Sequence, residues 1–334
     1  MADALAAGPG FRPITEDRIF VLCPNNLVTG GSELLHQLVD ALVSEGRRAF
    51  IAYTPLGAAW ATPAEYQRYR CPVASQVPDE PGAAVVVPEV STSMLSGFRR
   101  ARHVIWWLSV DNYRGALGTP AGWKFMLRRV LFSDIPAPRA AAHLFQSAYA
   151  REYVQRRFKV GGAMLSDYLA PEYFSAPRAG SRRNAVAFNP KKGYGYTARL
   201  IQACPDIEFV RLEGMTRQQL RDALDSCSVY IDFGVHPGKD RIPREAAVRG
   251  AVVIVARSGA AKSPEDVRLE DCYKFAPSSS SLAAVARLIR DVFENYGRHH
   301  EAQAAYRRAI AGEAELFRRQ VRHVFGVRSV AVDR

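Results

Sequence analysis

Short apolar runs alternate with helical stretches along the first half of the chain. Residues 19–23 (IFVLC) form an uninterrupted apolar run, which is typical of a buried strand. In residues 32–44 the apolar side chains recur every three or four positions, which predicts a helix with one face in a core. Further strands are predicted at 49–53, 83–87, 103–108, 143–146 and 163–165, and a further helix at 149–158. This alternation predicts an α/β protein with a doubly wound parallel sheet.

The alternation breaks once and then restarts. Residues 170–183 (APEYFSAPRAGSRR) collect Pro, Gly, Ser and Arg without periodicity, a composition typical of a linker. The elements predicted beyond it are strands at 185–188, 207–212, 229–233 and 252–255 and helices at 196–203, 217–226, 244–249, 282–295 and 301–324. We therefore predict two Rossmann-like domains, 1–172 and 173–312, followed by a last helical segment at 313–334.

Composition narrows the class of protein. The 334 residues suffice for two domains of about 150 residues each, and 48% apolar residues exclude a disordered chain. Five scattered cysteines, without a C-x-x-C pair or zinc spacing, predict reduced thiols. The first residues include Asp3 and no apolar core, unlike a secretory signal, and no apolar run is long enough to span a membrane. We expect a cytoplasmic protein, with any membrane contact peripheral and at the inner face.

The charge balance favours an anionic partner. Lys and Arg number 45 and Asp and Glu number 33, a formal net charge of +12. Nucleic acid, an acidic membrane surface and a phosphorylated ligand would all suit this charge. Nucleic acid has no further support, because no RNA-binding aromatic motif, zinc site or helix-turn-helix signature accompanies the basic residues.

A pair of glycines joins the first predicted strand to the first helix, in residues 25–33 (NNLVTGGSE). Gly30 and Gly31 allow close approach of the backbone to a ligand, and the helix start offers free N–H groups to an anion. The alternative is a tight turn in which Ser32 is the N-cap. No G-x-G-x-x-G pattern follows the strand, which disfavours a dinucleotide enzyme.

Two lysines follow the first strand predicted in the second domain, in residues 189–195 (NPKKGYG). Lys191 and Lys192 are well placed to hold a diphosphate, because ligands of open α/β sheets bind at the carboxyl ends of the strands. A solvated basic turn is the alternative.

The most specific segment is 233–247 (FGVHPGKDRIPREAA). Pro243 is predicted at the first position of a helix, so that Glu245 lies in the first turn, where a carboxylate can accept two hydrogen bonds from a ribose diol. The alternative is a Glu that serves only the helix N-terminus. Residues 257–261 (RSGAA) follow the next strand and could offer backbone N–H groups to phosphates.

Together these segments resemble a GT-B glycosyltransferase, and more closely the retaining nucleotide-sugar branch with a Glu-x7-Glu signature. The resemblance covers nearly the whole chain. It implies two Rossmann-like domains facing a cleft, with the C-terminal helix returning toward the first domain. It also implies transfer of a sugar from a UDP- or GDP-linked donor substrate to a glycan, polysaccharide or lipid-linked acceptor, with no further cofactor and no metal.

The resemblance also implies roles for individual residues. Glu245 corresponds to the ribose ligand, Lys191 and Lys192 to the diphosphate ligands, and the Gly30–Gly31 loop to the one that closes over the phosphates. The other residues expected at the donor are Asn189, His236, Gly238, Asp240, Arg244 and Gly259. One position departs from the family: Pro237 stands eight residues before Glu245, where the first Glu belongs. Either the role of this Glu passes to His236 or Asp240, or the transferred sugar is an unusual one.

The resemblance implies that catalysis assists the departure of the nucleoside diphosphate, through Lys191, Lys192, the Gly30–Gly31 amides and the turn after Val255. Lys192 and Glu245 are the predicted catalytic residues. If the reaction inverts configuration, a general base is required, and Asp111 is the candidate; its alternative is an Asp that caps a turn. Residues 123–132 (WKFMLRRVLF) mix apolar and cationic side chains like an interfacial segment, although an ordinary core helix is the alternative. The missing first Glu motivates a second function class, a nucleotide-sugar-binding module without catalysis.

Overall fold

The computed structural model describes residues 7–8, 10–25, 27–114, 141–175 and 182–327. The chain divides into two compact units, Met1–Asp167 with Glu315–Arg334, and Tyr168–Ala314. The interfacial segment predicted at 123–132 lies outside the described residues. The five cysteines are free thiols, and three of them are buried, in agreement with the prediction from their spacing.

The first unit is built on a parallel six-stranded sheet. Its strands are β1 (Arg18–Pro24), β2 (Arg48–Thr54), β3 (Ala83–Pro88), β4 (Arg102–Trp107), β5 (Ala142–Phe145) and β6 (Ala163–Met164). They lie in the order β2-β1-β3-β4-β5-β6 and every pairing is parallel. Among its described residues, the helices before the second unit are α1 (Gly30–Ser44), α2 (Val110–Arg114) and α3 (Ala148–Phe158), with short 3₁₀ segments at Ala64–Tyr66 and Glu89–Gly97. The central strands are apolar along their length because both faces are covered.

The second unit repeats this architecture with five strands. They are β7 (Arg183–Phe188), β8 (Glu208–Arg211), β9 (Cys227–Asp232), β10 (Val252–Ala256) and β11 (Lys274–Phe275), in the parallel order β11-β10-β9-β7-β8. Its helices are α4 (Tyr194–Ala203), α5 (Arg217–Ser226), α6 (Arg241–Val248), α7 (Leu282–Glu294), α8 (Tyr296–Ala302) and α9 (Ala304–Ala311). The helix α10 (Glu313–Val324) follows, and most of it belongs to the first unit. Short 3₁₀ segments are Pro171–Phe174, Gly259–Lys262, Asp271–Tyr273 and Ser279–Ser281. The predicted parallel α/β class is confirmed in both units.

The prediction of one long tail helix at 301–324 was wrong. The chain forms α8, α9 and α10 instead, with breaks at Gln303 and Gly312. Glycine weakens a helix, which accounts for the second break. At the first break the Gln303 side chain binds the backbone of β10: it accepts from the Val253 N–H and donates to the Val253 carbonyl, both at 2.9 Å.

The last helix packs in the first unit, as the resemblance implied. From Glu315 onward its residues belong to that unit. Phe317 stacks on Trp106, with ring centroids 6.4 Å apart, and Gln320 accepts a hydrogen bond from the Ser166 N–H at 2.8 Å. The buried apolar side chains at its C-terminal end recur at helical spacing and form the packing face: Phe317, Val321, Val324 and Phe325.

Each sheet has a point at which the strand order reverses. This point lies between β1 and β3 in the first unit and between β7 and β9 in the second. In open α/β sheets, ligands bind at the carboxyl ends of the strands beside such a point. Residues 25–33 follow β1, residues 189–195 follow β7 and residues 233–247 follow β9, so the three motifs lie at favoured positions.

Two loops of the second unit pass very close to each other at this edge. Gly193 precedes α4 with a φ of 60°, and a Cβ there would overlap the backbone of Phe233 and Gly234. A Cβ on Gly234 would lie 2.5 Å from the Cβ of Lys192. The loop that carries Lys192 therefore rests directly on the loop that follows β9, and only glycine permits this approach.

Replacing Gly193 tests this close approach. We expect Gly193→Ala to lower the free energy of unfolding by about 2 kcal/mol or more, because it adds both an unfavourable φ and a steric overlap. Gly195→Ala is the matched control, since Gly195 lies in α4 with no atom within 4 Å of its added Cβ. The control should be neutral or stabilising by about 0.5–1 kcal/mol. Equal stability of both variants in urea unfolding would contradict the close approach.

Candidate functional site

Charged side chains of the second unit converge at the carboxyl ends of β7 and β9. Lys192 precedes α4, His236 lies in the loop after β9, and Asp240 is the residue immediately before α6. Lys192 Nζ donates to Asp240 Oδ1 at 2.8 Å, and His236 Nδ1 lies 2.9 Å from Asp240 Oδ2. Three residues that the sequence predicted in two separate motifs thus form one contact group.

Asp232 completes this group and was missed by sequence reasoning. It is the last residue of β9, only 3% exposed, and accepts hydrogen bonds from the Gly234 N–H at 3.0 Å and the Tyr230 hydroxyl at 3.3 Å. Ligand atoms of Asp232, His236 and Asp240 lie within 4.8 Å of one another. A carboxylate at the end of an otherwise apolar strand was the available signal. We call Lys192, Asp232, His236 and Asp240 the Lys–Asp–His cluster.

The electrostatics of the cluster favour a charged histidine. Burial opposes the imidazolium, but the carboxylates of Asp240 and Asp232 outweigh burial and raise the pKa of His236 above its usual value. Burial also opposes ionisation of Asp240, yet His236 and Lys192 hold the pKa of Asp240 below its usual value. Burial raises the pKa of Asp232. With His236 protonated, the two carboxylates and two cations balance.

The same three donors would be a conceivable metal site, since two carboxylates and an imidazole suit divalent cations. However, each Asp240 oxygen already faces a nitrogen, Lys192 Nζ at 2.8 Å and His236 Nδ1 at 2.9 Å. An ammonium at this distance would repel a dication. The arrangement therefore favours ion pairing over metal coordination, and the absence of a metal requirement stays a prediction.

Arg244, predicted at the donor, supports this loop from inside. It is 1% exposed, and its guanidinium donates to Glu313 Oε2 at 2.6 Å and to the backbone carbonyls of Lys239 and Asp240 at 2.9 and 3.2 Å. Lys239 Nζ also pairs with Glu313, at 2.9 Å. These bonds hold the backbone around Asp240 in place. Contact of Arg244 with a donor stays a prediction.

The start of α6 corrects one step of the sequence interpretation. The helix begins at Arg241 with Asp240 at the N-cap position, so Pro243 is its third residue and Glu245 lies beyond the first turn. Asp240 makes no capping hydrogen bond, because its carboxylate oxygens face Lys192 and His236 instead. Glu245 is 3% exposed and lies 3.4 Å from Arg241. Burial and the nearby Glu245 carboxylate raise the pKa of Tyr173. The ribose contact of Glu245 stays a prediction.

The remaining predicted residues of this unit divide between the lysine loop and the turn after β10. Asn189 Oδ1 accepts from the Lys191 N–H at 3.0 Å, and the Lys191 side chain is exposed. Gly238 lies beside Lys239 in the loop after β9. Gly259 has a φ of 51°, and a Cβ there would overlap the His236 carbonyl.

The backbone N–H groups predicted to bind phosphate in the turn after β10 already make hydrogen bonds within the chain. Four backbone N–H groups of this turn donate to carbonyls of the protein: those of Arg257, Ser258, Ala260 and Ala261. One of these bonds, from Ala260 to the His236 carbonyl at 2.8 Å, fastens the turn to the loop after β9. For these four amides the prediction was wrong, because loop packing satisfies them first.

In the first unit, the glycine pair opens α1. Thr29, not Ser32, is the N-cap: its Oγ1 accepts from the Ser32 N–H at 3.3 Å. Gly30 and Gly31 are the first two helical residues. A Cβ at Gly31 would meet no atom nearer than 3.9 Å, so packing within this unit does not require glycine there. An unobstructed backbone at a helix start is the arrangement that an anionic ligand needs.

A buried polar network that sequence reasoning missed supports this loop. The Tyr66 hydroxyl accepts from the Thr29 N–H at 3.0 Å and donates to the Thr29 carbonyl at 2.9 Å. His36 stacks on Tyr66 and places Nε2 2.8 Å from the Tyr53 hydroxyl. Burial lowers the pKa of His36, so this ring is neutral. The residues come from separate parts of the sequence, which carries no signal of their contact.

Asp111, the candidate general base, lies in the first turn of α2, after β4. It is half-buried and accepts a hydrogen bond from the Tyr149 hydroxyl at 3.3 Å. Position at the carboxyl end of a strand is compatible with a role toward substrate, while the tyrosine contact is compatible with a structural one.

Comparison with known proteins bears on the fold. No family model and no curated protein matches the chain. Among solved structures, a glycosyltransferase from Rickettsia africae superposes with a TM-score of 0.60 at 11% identity, over 93% of this chain and 98% of the other. HepE from Anabaena, solved in complex with UDP-glucose, gives 0.60 at 14%, over 92% and 99%. The fold is that of the GT-B glycosyltransferases.

A further neighbour is sucrose-phosphate synthase from Thermosynechococcus elongatus, with a TM-score of 0.59 at 11% identity over 92% of this chain and 95% of the other. At such identities the likeness establishes the fold, and function has to be argued from the site. Within the described residues, none of the helices combines the length and apolar character needed to cross a bilayer.

The charge on His236 predicts a pH-dependent stability. Because folding raises its pKa, the charged histidine stabilises the folded protein fully below the ordinary value of about 6.5, and this contribution is lost as pH rises through the higher folded value. We expect the free energy of unfolding to fall across that window, and His236→Gln to remove this fall. Urea unfolding at a series of pH values measures it.

His299 provides the control for this measurement. It is also buried and also paired with a carboxylate, Asp291 at 3.0 Å, but lies in α8. His299→Gln should keep the fall in stability that belongs to His236. An unchanged fall in His236→Gln would show that another group causes it.

Proposed function

We propose that this protein is a glycosyltransferase of the hexosyltransferase type that transfers a sugar from a UDP- or GDP-linked donor to a glycan, polysaccharide or lipid-linked acceptor. The observation that carries the proposal is the placement of Lys192. Its side chain is one-third exposed beside the β7–β9 reversal point of a GT-B fold, where a ligand can reach it. The likeness to HepE solved with UDP-glucose supports a nucleotide sugar as the ligand.

The chain's own residues would bind the donor and assist departure of its diphosphate. Lys192 and Lys191 supply positive charge to the phosphates, and the amides at the start of α1 offer N–H donors. Charge that develops on the leaving diphosphate is stabilised by such preorganised groups, which lowers the barrier to transfer. Glu245, in α6, is the proposed ligand of the ribose hydroxyls.

Retention of configuration is proposed from the family resemblance. Pro237 replaces the Glu expected to contact the transferred sugar, which leaves the polar side chains of His236 and Asp240 as the nearest candidates in that loop. If the product is inverted instead, Asp111 becomes the proposed general base. The anomeric configuration of the product, read by NMR, distinguishes these routes. We also propose a cytoplasmic place in polysaccharide synthesis, with acceptor access at the inner membrane face.

A second candidate is a nucleotide-sugar-binding module that lacks catalysis. Pro237 favours it, since a proline cannot make the sugar contact of a carboxylate. Calorimetry with UDP-glucose and GDP-mannose separates the two candidates: heat of binding without later turnover, across a broad acceptor panel, would favour the module.

Removal of the Lys192 ammonium tests the proposed donor site. We expect Lys192→Ala to weaken binding of the preferred nucleotide sugar about tenfold or more and to abolish transfer, because a charge-assisted phosphate contact is lost. Glu245→Ala should also abolish transfer. Arg183→Ala is the matched control: it removes one cation from the opposite end of β7, where Arg183 pairs with Glu208. Full activity of both site variants, with the fold retained, would contradict the assignment.

Chelation tests the proposed independence from metal. We expect transfer in excess EDTA to equal transfer without it, because lysines and helix N-termini would supply the positive charge. The check is the initial rate before and after chelation, with Mn²⁺ and Mg²⁺ added back separately. Loss of activity that one of these ions restores would contradict metal independence.

A further inference from the structure

The two oxygens of Asp240 face two different cations. Oδ1 accepts from Lys192 Nζ at 2.8 Å, and Oδ2 lies 2.9 Å from His236 Nδ1. The Lys192 side chain is 32% exposed, whereas that of His236 is 2% exposed. An incoming diphosphate would therefore meet Lys192 first, while His236 lies beneath Asp240.

A conflict arises when Lys192 contacts a phosphate. The ammonium then leaves or shares its contact with Asp240, a mostly buried carboxylate that would lose one of its two cations. An unpaired carboxylate in such a place is costly, and it would also repel the incoming diphosphate. A second cation that stays on Asp240 removes both penalties.

We propose that His236, which pairs with Asp240 and lies near Asp232, positions Lys192 for the donor diphosphate by keeping Asp240 paired while the lysine ammonium moves to a phosphate. This inference rests on the proposed function and assigns His236 and Asp232 a supporting role. Neither residue needs to touch the donor. Asp232 supplies the second carboxylate that keeps the imidazolium charged, and its own position is fixed by the Gly234 N–H.

The surroundings of His236 support a charged ring. The charged or titratable groups around it come from the described loops and helices of this unit: Lys192, Tyr230, Asp232, Lys239, Asp240, Arg244, Asp266, Tyr306 and Glu313. Several of them pack in the same region as His236. The Asp240 and Asp232 carboxylates favour the charged ring, whereas Lys192 opposes it. A neutral ring would leave Asp240 paired with the Lys192 cation alone.

The role of His236 predicts that donor binding is linked to protonation. Lys192 lowers the pKa of His236, so movement of the lysine toward a phosphate should raise that pKa further. Binding of the donor then takes up a proton at any pH at which the His236 ring of the free protein is partly neutral. By reciprocity, donor affinity falls as pH rises.

The test is binding of UDP-glucose and GDP-mannose to the full chain by calorimetry, from about pH 6 to about pH 9, in two buffers of different ionisation enthalpy. The diphosphate diester of these probes does not titrate across this range, and the uracil and guanine rings begin to ionise only at its upper end, so proton uptake in the lower part of the range reports on the protein. We expect the dissociation constant of the wild-type protein to rise at least about fivefold across the range, with net proton uptake. His236→Gln should bind weakly and without this pH dependence, and His299→Gln should behave as the wild type.

Asp232→Asn is a second variant in case His236→Gln does not fold. It keeps the Nδ1 contact with Asp240 but removes one carboxylate, so the midpoint of the pH dependence should move down by about one pH unit. An unchanged pH slope in the folded His236→Gln, an unmoved midpoint in Asp232→Asn, or no proton uptake by the wild type would each overturn the positioning role while leaving the proposed function intact. If neither UDP-glucose nor GDP-mannose binds at any pH, the proposed function is overturned as well.

Discussion

The close contact of two loops at the β7–β9 edge determines where the charges of the second unit lie. Gly193 and Gly234 let these loops approach so closely that neither position has room for a Cβ. Because of this contact, Lys192 reaches Asp240 across the edge of the sheet. The reversal of strand order places both loops beside the same gap, and the rest of the candidate site is built around that pairing.

Charge balance is the second constraint on this unit. Arg244 and Lys239 both pair with Glu313, and the Arg244 guanidinium also binds the backbone that carries Asp240. This inner set of ion pairs holds the loop in place, whereas the outer Lys192 ammonium stays partly exposed. Buried charges are tolerated only when paired, so the inner set supports the fold and the outer lysine can serve a ligand. Lys239 and Arg244 therefore support the loop, whereas Lys192 remains available to a ligand.

Several features of the site were beyond sequence reasoning for identifiable reasons. The start of α6 was misplaced because Pro243 was taken as the first helical residue, whereas the helix begins two residues earlier, at Arg241. Asp232 was missed because it ends a buried strand, where a single polar residue is easily counted as part of the strand. The amides after β10 were expected to be free because their partner, the His236 carbonyl, is distant in sequence. The support of the α1 loop by Tyr66 was invisible for the same reason.

By itself, the sequence determined the α/β class, the positions of most strands and helices and the three loops at the carboxyl ends of strands, because periodicity and turn residues act over a few positions. Only the tertiary structure decided which of those loops touch and which charged groups pair. Lys192 and Asp240 are 48 residues apart, and Arg244 and Glu313 are 69 apart. Such pairs form where the order of strands in the sheet brings loop ends together, and burial then sets their charge states. Local sequence patterns carry no information on which loop ends meet or on the charge states of the groups that pair there.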